Sequence, residues 1–279
     1  MTVNELYKQG AEFLENAEKE NAGFDARCLM EHVLNVNTTK FMLIRDRKID
    51  AKTEMQYLSL IRRRVSGEPL QYILGQWEFM DCRFSVGEGV LIPRPETEIL
   101  VNYGLNFIKN KKSPVVFDLC SGTGCVGISV AKARKDAVVY AVEKSDEAFA
   151  YLEKNIKLNS VKNVKAVKGD ICDFMLLNGI TPDLILSNPP YVPSDEIDYL
   201  QAEVKKEPRM ALDGGKDGYD FYKILAKDWL NRLPKGGSMA VECAENQADD
   251  ISQMFFLAKS QVDIINDLSG FPRVVTAVK

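Results

Sequence analysis

The chain reads DLCSGTGCVG from Asp118 to Gly127. A candidate strand, Val115 to Cys120, leads into it, and a candidate helix to about Arg134 leaves it. Gly122, Gly124 and Gly127 keep G-x-G-x-x-G spacing between strand and helix. That is where backbone must come close to a ligand and a side chain would clash. The next strand, Ala137 to Glu143, ends in an acid 21 positions after Gly122. A carboxylate there accepts hydrogen bonds from both hydroxyls of a ribose. A tight strand-to-helix turn with no ligand is the plain alternative.

Outward from this turn, strands and helices alternate. After a helix to Asn159, Val164 to Asp170 and Asp183 to Asn188 are further strands. A helix over Tyr219 to Leu233 precedes the strand Ser238 to Cys243, and a helix over Asn246 to Ala258 precedes Val262 to Leu268 and Val274 to Val278. Ser269 to Arg273 is short for a crossover helix, so the last two strands are expected to be antiparallel. Repeated βα units predict an α/β fold, with a seven-stranded, mostly parallel, Rossmann-like sheet covered by helices on both faces.

The N-terminal side differs in texture. Residues 1–74 read as a helical domain, with apolar stripes Leu6, Phe13, Leu14, Ala17 and Leu58, Ile61, Val65. Trp77 to Phe79 and Arg83 to Val86 alternate around Met80-Asp81-Cys82, which predicts a β-hairpin connector over residues 75–95. Pro95 and Glu96 suit a helix start. The larger domain then spans residues 96–279.

Composition excludes several classes. The net charge is −4 and 27% of residues are charged, so the chain lacks the basic footprint of a duplex-binding protein. The basic clusters Arg62 to Arg64 and Lys109 to Lys112 are short enough to be solvated faces. Six scattered cysteines form no Cys-x-x-Cys pair, and one histidine, His32, sits in a helix-like segment, which argues against a zinc site and a Ser-His-Asp triad. The start, MTVNELYKQG, lacks the basic-then-apolar pattern of a secretory signal, and no apolar run is long enough to span a bilayer. A cytoplasmic protein with reduced thiols and no membrane partner is expected.

A G-x-G-x-x-G alone does not separate a dinucleotide from S-adenosyl-L-methionine. Three features favour the second. Asp118 precedes the glycines, where a carboxylate would take the ammonium group that dinucleotides lack. Asp170 ends the third strand, placed to meet an adenine edge; a helix cap or turn residue is its alternative. The antiparallel last strand departs from a dinucleotide fold.

SNPPYVP, Ser187 to Pro193, ends the fourth strand of the domain and faces the same crevice. Two prolines would stop a central strand, but a stop does not account for Asn188 and Tyr191 around them. Methyl transfer accounts for all four. A planar NH2 nucleophile has a delocalised lone pair. The Asn188 side-chain oxygen and the Pro189 carbonyl would grip its two N–H bonds and stabilise positive charge as it develops. Pro189 and Pro190 stiffen the backbone that aims that carbonyl, and Tyr191 offers a flat face to a flat group. Adenine, cytosine and a carboxamide side chain all satisfy this motif.

The chain resembles the protein-(glutamine-N) methyltransferases that modify peptide chain release factors. PLQYILGQWEFMDCRFSV and VLIPRPETEILV are similar to that family's connector, DLCSGTGCVGISVA to its cofactor loop, and DLILSNPPYVPSDEI to its active-site strand. EPRMALDGGKDGYDFY and AVECAENQ resemble its downstream segments. The resemblance implies methylation of the glutamine in a release factor's Gly-Gly-Gln loop. It implies that Cys120, Ser121, Gly122, Thr123 and Gly124 line the cofactor's amino-acid end. Glu143 would hold the ribose, and Asp170 and Ile171 would border the adenine. Asn188, Pro189, Pro190, Tyr191 and Val192 would hold the glutamine, with Asn188 also near the cofactor, and the helical domain would dock the release factor. Cys120 replaces the glycine usual at the start of the loop, and Ile171 stands where the family often has an aromatic. A monomeric cytosolic enzyme is expected. An amino methyltransferase for adenine in RNA or DNA, and a noncatalytic binding module on a cofactor fold, are the competing readings.

Overall fold

The computed structural model describes residues 1–173 and 175–279. They fall into two units, residues 1–75 with 201–206, and residues 76–200 with 207–279.

The first unit holds α1 (Val3–Asn16), α2 (Ala22–Leu34), α3 (Thr38–Leu43), α4 (Ala51–Val65) and α5 (Leu70–Leu74). Thr2 and Glu5 form a capping box on α1: Glu5 N–H donates to Thr2 Oγ1 at 3.2 Å and Thr2 N–H to Glu5 Oε2 at 2.8 Å. Leu6, Leu14, Leu29, Met30, Tyr57 and Ile61 fill its core. Tyr57 donates to the Ala26 carbonyl at 3.2 Å, and a Cβ on Gly10 would strike its ring, which explains a glycine inside α1. Two members of the sequence-predicted stripes, Phe13 and Val65, are exposed instead. Phe13 lies one residue, about 100° of helix turn, from buried Leu14. Beside Val65, it is Arg64 that turns inward, bonding Asp25 Oδ2 and Glu203 Oε1, each at 2.6 Å. A buried guanidinium requires such partners, and Glu203 ties residues 201–206 to this unit.

The second unit opens with an antiparallel hairpin, β1 (Gln76–Phe79) and β2 (Cys82–Ser85), then α6 (Thr97–Phe107). There follow β3 (Val115–Leu119), α7 (Cys125–Ala133), β4 (Val138–Glu143), α8 (Asp146–Leu158), β5 (Val164–Lys168) and β6 (Leu184–Ser187). α9 (Asp220–Ile224) continues through a π-helical turn, Leu225–Trp229, and a 3-10 turn, Leu230–Arg232. Then come β7 (Ser238–Glu242), α10 (Ala248–Leu257), β8 (Gln261–Asn266) and β9 (Pro272–Val278).

These strands make the seven-stranded sheet expected, in the order β5-β4-β3-β6-β7-β9-β8. The first five are parallel, and β9 pairs antiparallel with both β7 and β8. Every residue of β6 and β7 is buried, as strands covered on both faces require. One face packs Phe84, Leu100, Val101, Val126, Ile128 and Leu152. The other packs Phe117, Tyr222, Trp229, Ile251 and Phe255. The hairpin contributes Phe79, Cys82 and Phe84 to the first layer, so it folds as part of this unit. Among the described residues, no helix is long and apolar enough to cross a membrane.

Candidate active site

From β3 the chain builds outward through β4 and β5 on one side and through β6 and β7 on the other. Such a reversal opens a crevice at the carboxyl ends of the strands. A cleft lies there. Cys120 to Thr123 line it after β3, Glu143 to Ser145 after β4, Gly169 to Ile171 after β5, and Asn188 and Pro190 after β6. Leu91 to Arg94, Thr97, Met210 and Phe221 complete much of its wall.

The three glycines of the turn have three different surroundings. At Gly122, with φ +54°, an added Cβ would meet nothing within 4 Å. At Gly124, with φ +80°, it would lie 2.5 Å from Leu152 Cδ1. At Gly127 it would press on Asp118 and on Val139 Cγ1. Gly122 therefore keeps backbone open, whereas Gly124 and Gly127 let the turn and α7 settle on the core. Cys120 adopts φ +61°, the left-handed conformation that favours glycine. That conformation gives a physical reason for the glycine the family usually carries here.

Asp118 lies beneath the turn, 1% exposed, and its Oδ2 accepts the Gly127 N–H at 2.9 Å. Burial pushes its carboxyl up to about 7, against the Gly127 N–H and Ser121, which favour the charged form. The carboxylate braces the start of α7, and Asp118 is not among the residues that line the cleft.

Glu143 lines the cleft at the end of β4. Its Oε2 accepts the Gly122 N–H at 2.8 Å and its Oε1 the Ser145 N–H at 2.7 Å. Each oxygen keeps a lone pair for a further donor. Asp170 also lines the cleft, with Oδ2 2.8 Å from Lys144 Nζ and Oδ1 accepting the Cys172 N–H at 2.9 Å. Against burial, which would raise it, Lys144 and the Cys172 N–H hold this carboxyl below its ordinary value. Its hydrogen bonds are those of the turn residue that the sequence left open as an alternative. Ile171 presents an aliphatic side chain to the cleft, fixed by Trp229 Nε1 donating to its carbonyl at 2.8 Å. Open backbone at Gly122, an acid ending β4 and an apolar wall at Ile171 together fit S-adenosyl-L-methionine.

Asn188 reaches the same cleft from β6. Its Nδ2 donates to Thr97 Oγ1 at 3.2 Å, which turns Oδ1 away from Thr97. Pro190 lines the cleft beside it, whereas Pro189, Tyr191 and Val192 are not among its lining residues. Tyr191 packs against the core on the far face of the sheet, and its carbonyl accepts from Gln247 Nε2 at 2.9 Å. Val192 is pinned on both sides: its N–H donates to the Leu212 carbonyl at 2.9 Å, and its carbonyl accepts the Gly214 N–H at 2.8 Å. A Cβ on Gly214 would lie 2.8 Å from Tyr191 Cα, so two backbones meet here with no room for a side chain.

Two positioning residues were not picked out in the sequence, Asn155 in no motif and Glu207 at the head of the EPRMALDGG segment. Asn155, wholly buried in α8, accepts from Ser85 N–H at 2.7 Å and donates to the Ser85 and Thr123 carbonyls at 3.1 and 3.0 Å. It joins the hairpin to the glycine turn. Glu207 accepts from Ile92 N–H at 2.8 Å and from Arg94, tying the segment before Met210 to the Leu91-to-Arg94 wall. Burial raises its carboxyl above the ordinary value, with Arg94 opposing. The one available signal was an asparagine at an inward helix position, which also fits an ordinary buried amide.

Known proteins resemble the chain over both of its units. Residues 5–75 match the model described as PrmC N-terminal domain, and residues 107–208 match the TRM5/TYW2 methyltransferase domain. A release factor glutamine methyltransferase of Clostridium botulinum (strain Hall) is 36% identical over 282 aligned residues, covering 100% of both chains. Another, of Aquifex aeolicus (strain VF5), is 35% identical over 254 residues, covering 91% of this chain and 90% of that one. Among solved structures, the hMettl16 catalytic domain in complex with MAT2A 3'UTR hairpin 6 covers 82% of each chain with a TM-score of 0.58. At 13% identity it shares the fold alone.

Proposed function

We propose a function from one premise: the chain belongs to the release factor glutamine methyltransferase family. It methylates the side-chain amide nitrogen of the glutamine in the Gly-Gly-Gln loop of a peptide chain release factor. S-adenosyl-L-methionine, when bound, supplies a methyl group already activated on a cationic sulfur.

The placement of Asn188 carries this reading. With Nδ2 held by Thr97, its Oδ1 is free to accept one N–H of the substrate amide. The Pro189 carbonyl takes the other. The two acceptors hold the nitrogen toward the methyl and stabilise the charge that develops as the N–C bond forms. The nitrogen then loses one proton to water. Glu143 takes the ribose, Ile171 and Asp170 the adenine, and Cys120 to Gly124 the amino-acid end. Pro190 shapes the wall around the glutamine. Tyr191 and Val192 act from behind, by holding the Asn188-Pro189 backbone against Gly214. Asp118 acts by bracing the turn. The helical unit docks the release factor, and the enzyme works as a cytoplasmic monomer without nucleic acid or membrane.

The test is mass spectrometry of a purified release factor incubated with the protein and S-adenosyl-L-methionine. One added methyl on the Gly-Gly-Gln glutamine, absent from a Gln→Ala substrate, is expected. No methyl on the release factor, with methylated adenine in RNA under the same conditions, would replace this reading with the nucleic-acid one.

A further inference from the structure

Glu242 is the last residue of β7 and is 3% exposed. The parallel register pairs Ser187 with Val241, which puts Glu242 next to Asn188 on the neighbouring strand. Its Oε2 is buried and, among the described residues, has no hydrogen-bond partner. A buried carboxyl left partly unpartnered is costly and calls for an explanation. The methyl-transfer site described above does not use it. Its link to that site is Thr97, whose side chain favours the ionised Glu242 carboxyl and whose hydroxyl accepts from Asn188 Nδ2 at 3.2 Å.

A threonine hydroxyl has one proton to place. When Glu242 is ionised, that proton goes to the carboxylate, and the hydroxyl oxygen can only accept from Asn188. Nδ2 is the only end of the amide with protons to give, so Oδ1 faces the cleft. When Glu242 is protonated, it can donate to Thr97 instead. The threonine proton is then released toward Asn188 and favours Oδ1 on that side. Nδ2 would face the cleft, and a donor there opposes the N–H bonds of the substrate amide.

We propose that Glu242, acting through Thr97, is a positioning residue that sets which end of the Asn188 amide faces the substrate, and holds the site competent for transfer only when ionised. This rests on the reading of Asn188 as the acceptor for the substrate amide.

The electrostatic surroundings make the switch accessible. Burial pushes the Glu242 carboxyl up to about 7; Thr97 opposes that, Glu96 adds to it, and Arg273 and Arg94 oppose it. Among the described residues, Tyr191, Tyr222, Cys125 and Cys243 also interact with it, and all are raised by burial and stay neutral through this range.

The test is kcat against pH from 5.5 to 9, at saturating S-adenosyl-L-methionine and release factor. Each variant is also checked for its unfolding midpoint and its cofactor affinity. Wild-type kcat is expected to fall, with a slope of one proton, as pH drops through about 7. Glu242→Gln keeps an oxygen for Thr97 but does not titrate, and should lose that acid limb. Thr97→Val should lower kcat roughly tenfold, the worth of about one hydrogen bond, with cofactor affinity unchanged, and Thr97→Ser should restore it. An acid limb that persists at the same midpoint in Glu242→Gln overturns the proposal, and so does wild-type kcat in Thr97→Val. If Glu242→Gln does not fold, the Val and Ser pair decides. Asn188→Ala separates the two levels. Full transfer by that variant would overturn the role of Asn188 and the relay together. Loss of transfer there, with Thr97→Val and Glu242→Gln unchanged at every pH, would overturn the relay alone.

Discussion

Gly122 donates its backbone N–H to Glu143 Oε2 at 2.8 Å, so one carboxylate joins the turn after β3 to the end of β4. With its other oxygen on the Ser145 N–H, Glu143 shapes two of the four strand-end segments that line the cleft. The same residue is thus scaffold to the cleft and, in the proposed function, the acceptor for the ribose.

Glu143→Ala should therefore cost binding more than stability. Hydrogen bonds to a charged group contribute about 1.5–3 kcal/mol, which predicts a fall in S-adenosyl-L-methionine affinity of roughly tenfold to a hundredfold. Titration calorimetry measures it. An unchanged affinity would remove Glu143 from the cofactor site.

Gly122→Ala and Gly124→Ala should fail in opposite ways. Both glycines have positive φ, which costs a side-chain residue about 1–2 kcal/mol. At Gly122 the new methyl meets open space, so the fold survives and cofactor affinity drops. At Gly124 it meets Leu152 and Ile128, which adds overpacking of about 1–3 kcal/mol. Denaturant midpoints and calorimetry on the pair would show the contrast. Equal losses of stability would contradict it.

Asn155→Ala should be among the most destabilising polar substitutions in the larger unit. It strips partners from the Ser85 N–H and carbonyl and from the Thr123 carbonyl. Unsatisfied buried groups cost about 1–3 kcal/mol each, so a loss of roughly 3 kcal/mol is expected in chemical denaturation. A loss under about 1 kcal/mol would mean that water replaces the amide without penalty.

The pH dependence of stability should carry a mark of Asp118. Its folded value, about 7, lies above the ordinary 3.8. The unfolded chain therefore gives up this proton at lower pH than the folded one. The stabilisation is full below about 3.8 and is lost as pH rises through about 7. Asp118→Asn, which still offers an oxygen to Gly127 N–H, should flatten the difference in unfolding free energy between pH 5 and pH 8. An undiminished difference would assign it to other groups, Glu242 foremost, which is also pushed up to about 7 by burial.

Much of the architecture was legible because it rests on local chemistry. Seven strands, their alternation with helices and the antiparallel end all follow from apolar runs and connector lengths. Phe13 and Val65 show where that reading stops: helical spacing marks a stripe but not its edge, and packing decides which side chain at the margin turns inward. The larger divergence lies in residues 201–206, far from the helical domain in sequence but joined to it by Glu203 on Arg64. No local signal carries a pairing between residues so distant.

By itself the sequence determined the βα order, the glycine turn, the acid ending β4 and the Asn-Pro-Pro-Tyr segment, because each is a constraint on neighbouring residues. Tertiary structure alone decided what these residues face. It set Asp118 beneath the turn, Tyr191 behind the cleft, and Asn188 on Thr97 beside Glu242. Side-chain direction and the partner of a buried polar group depend on contacts made across the sheet, and those exist only once the strands are in register.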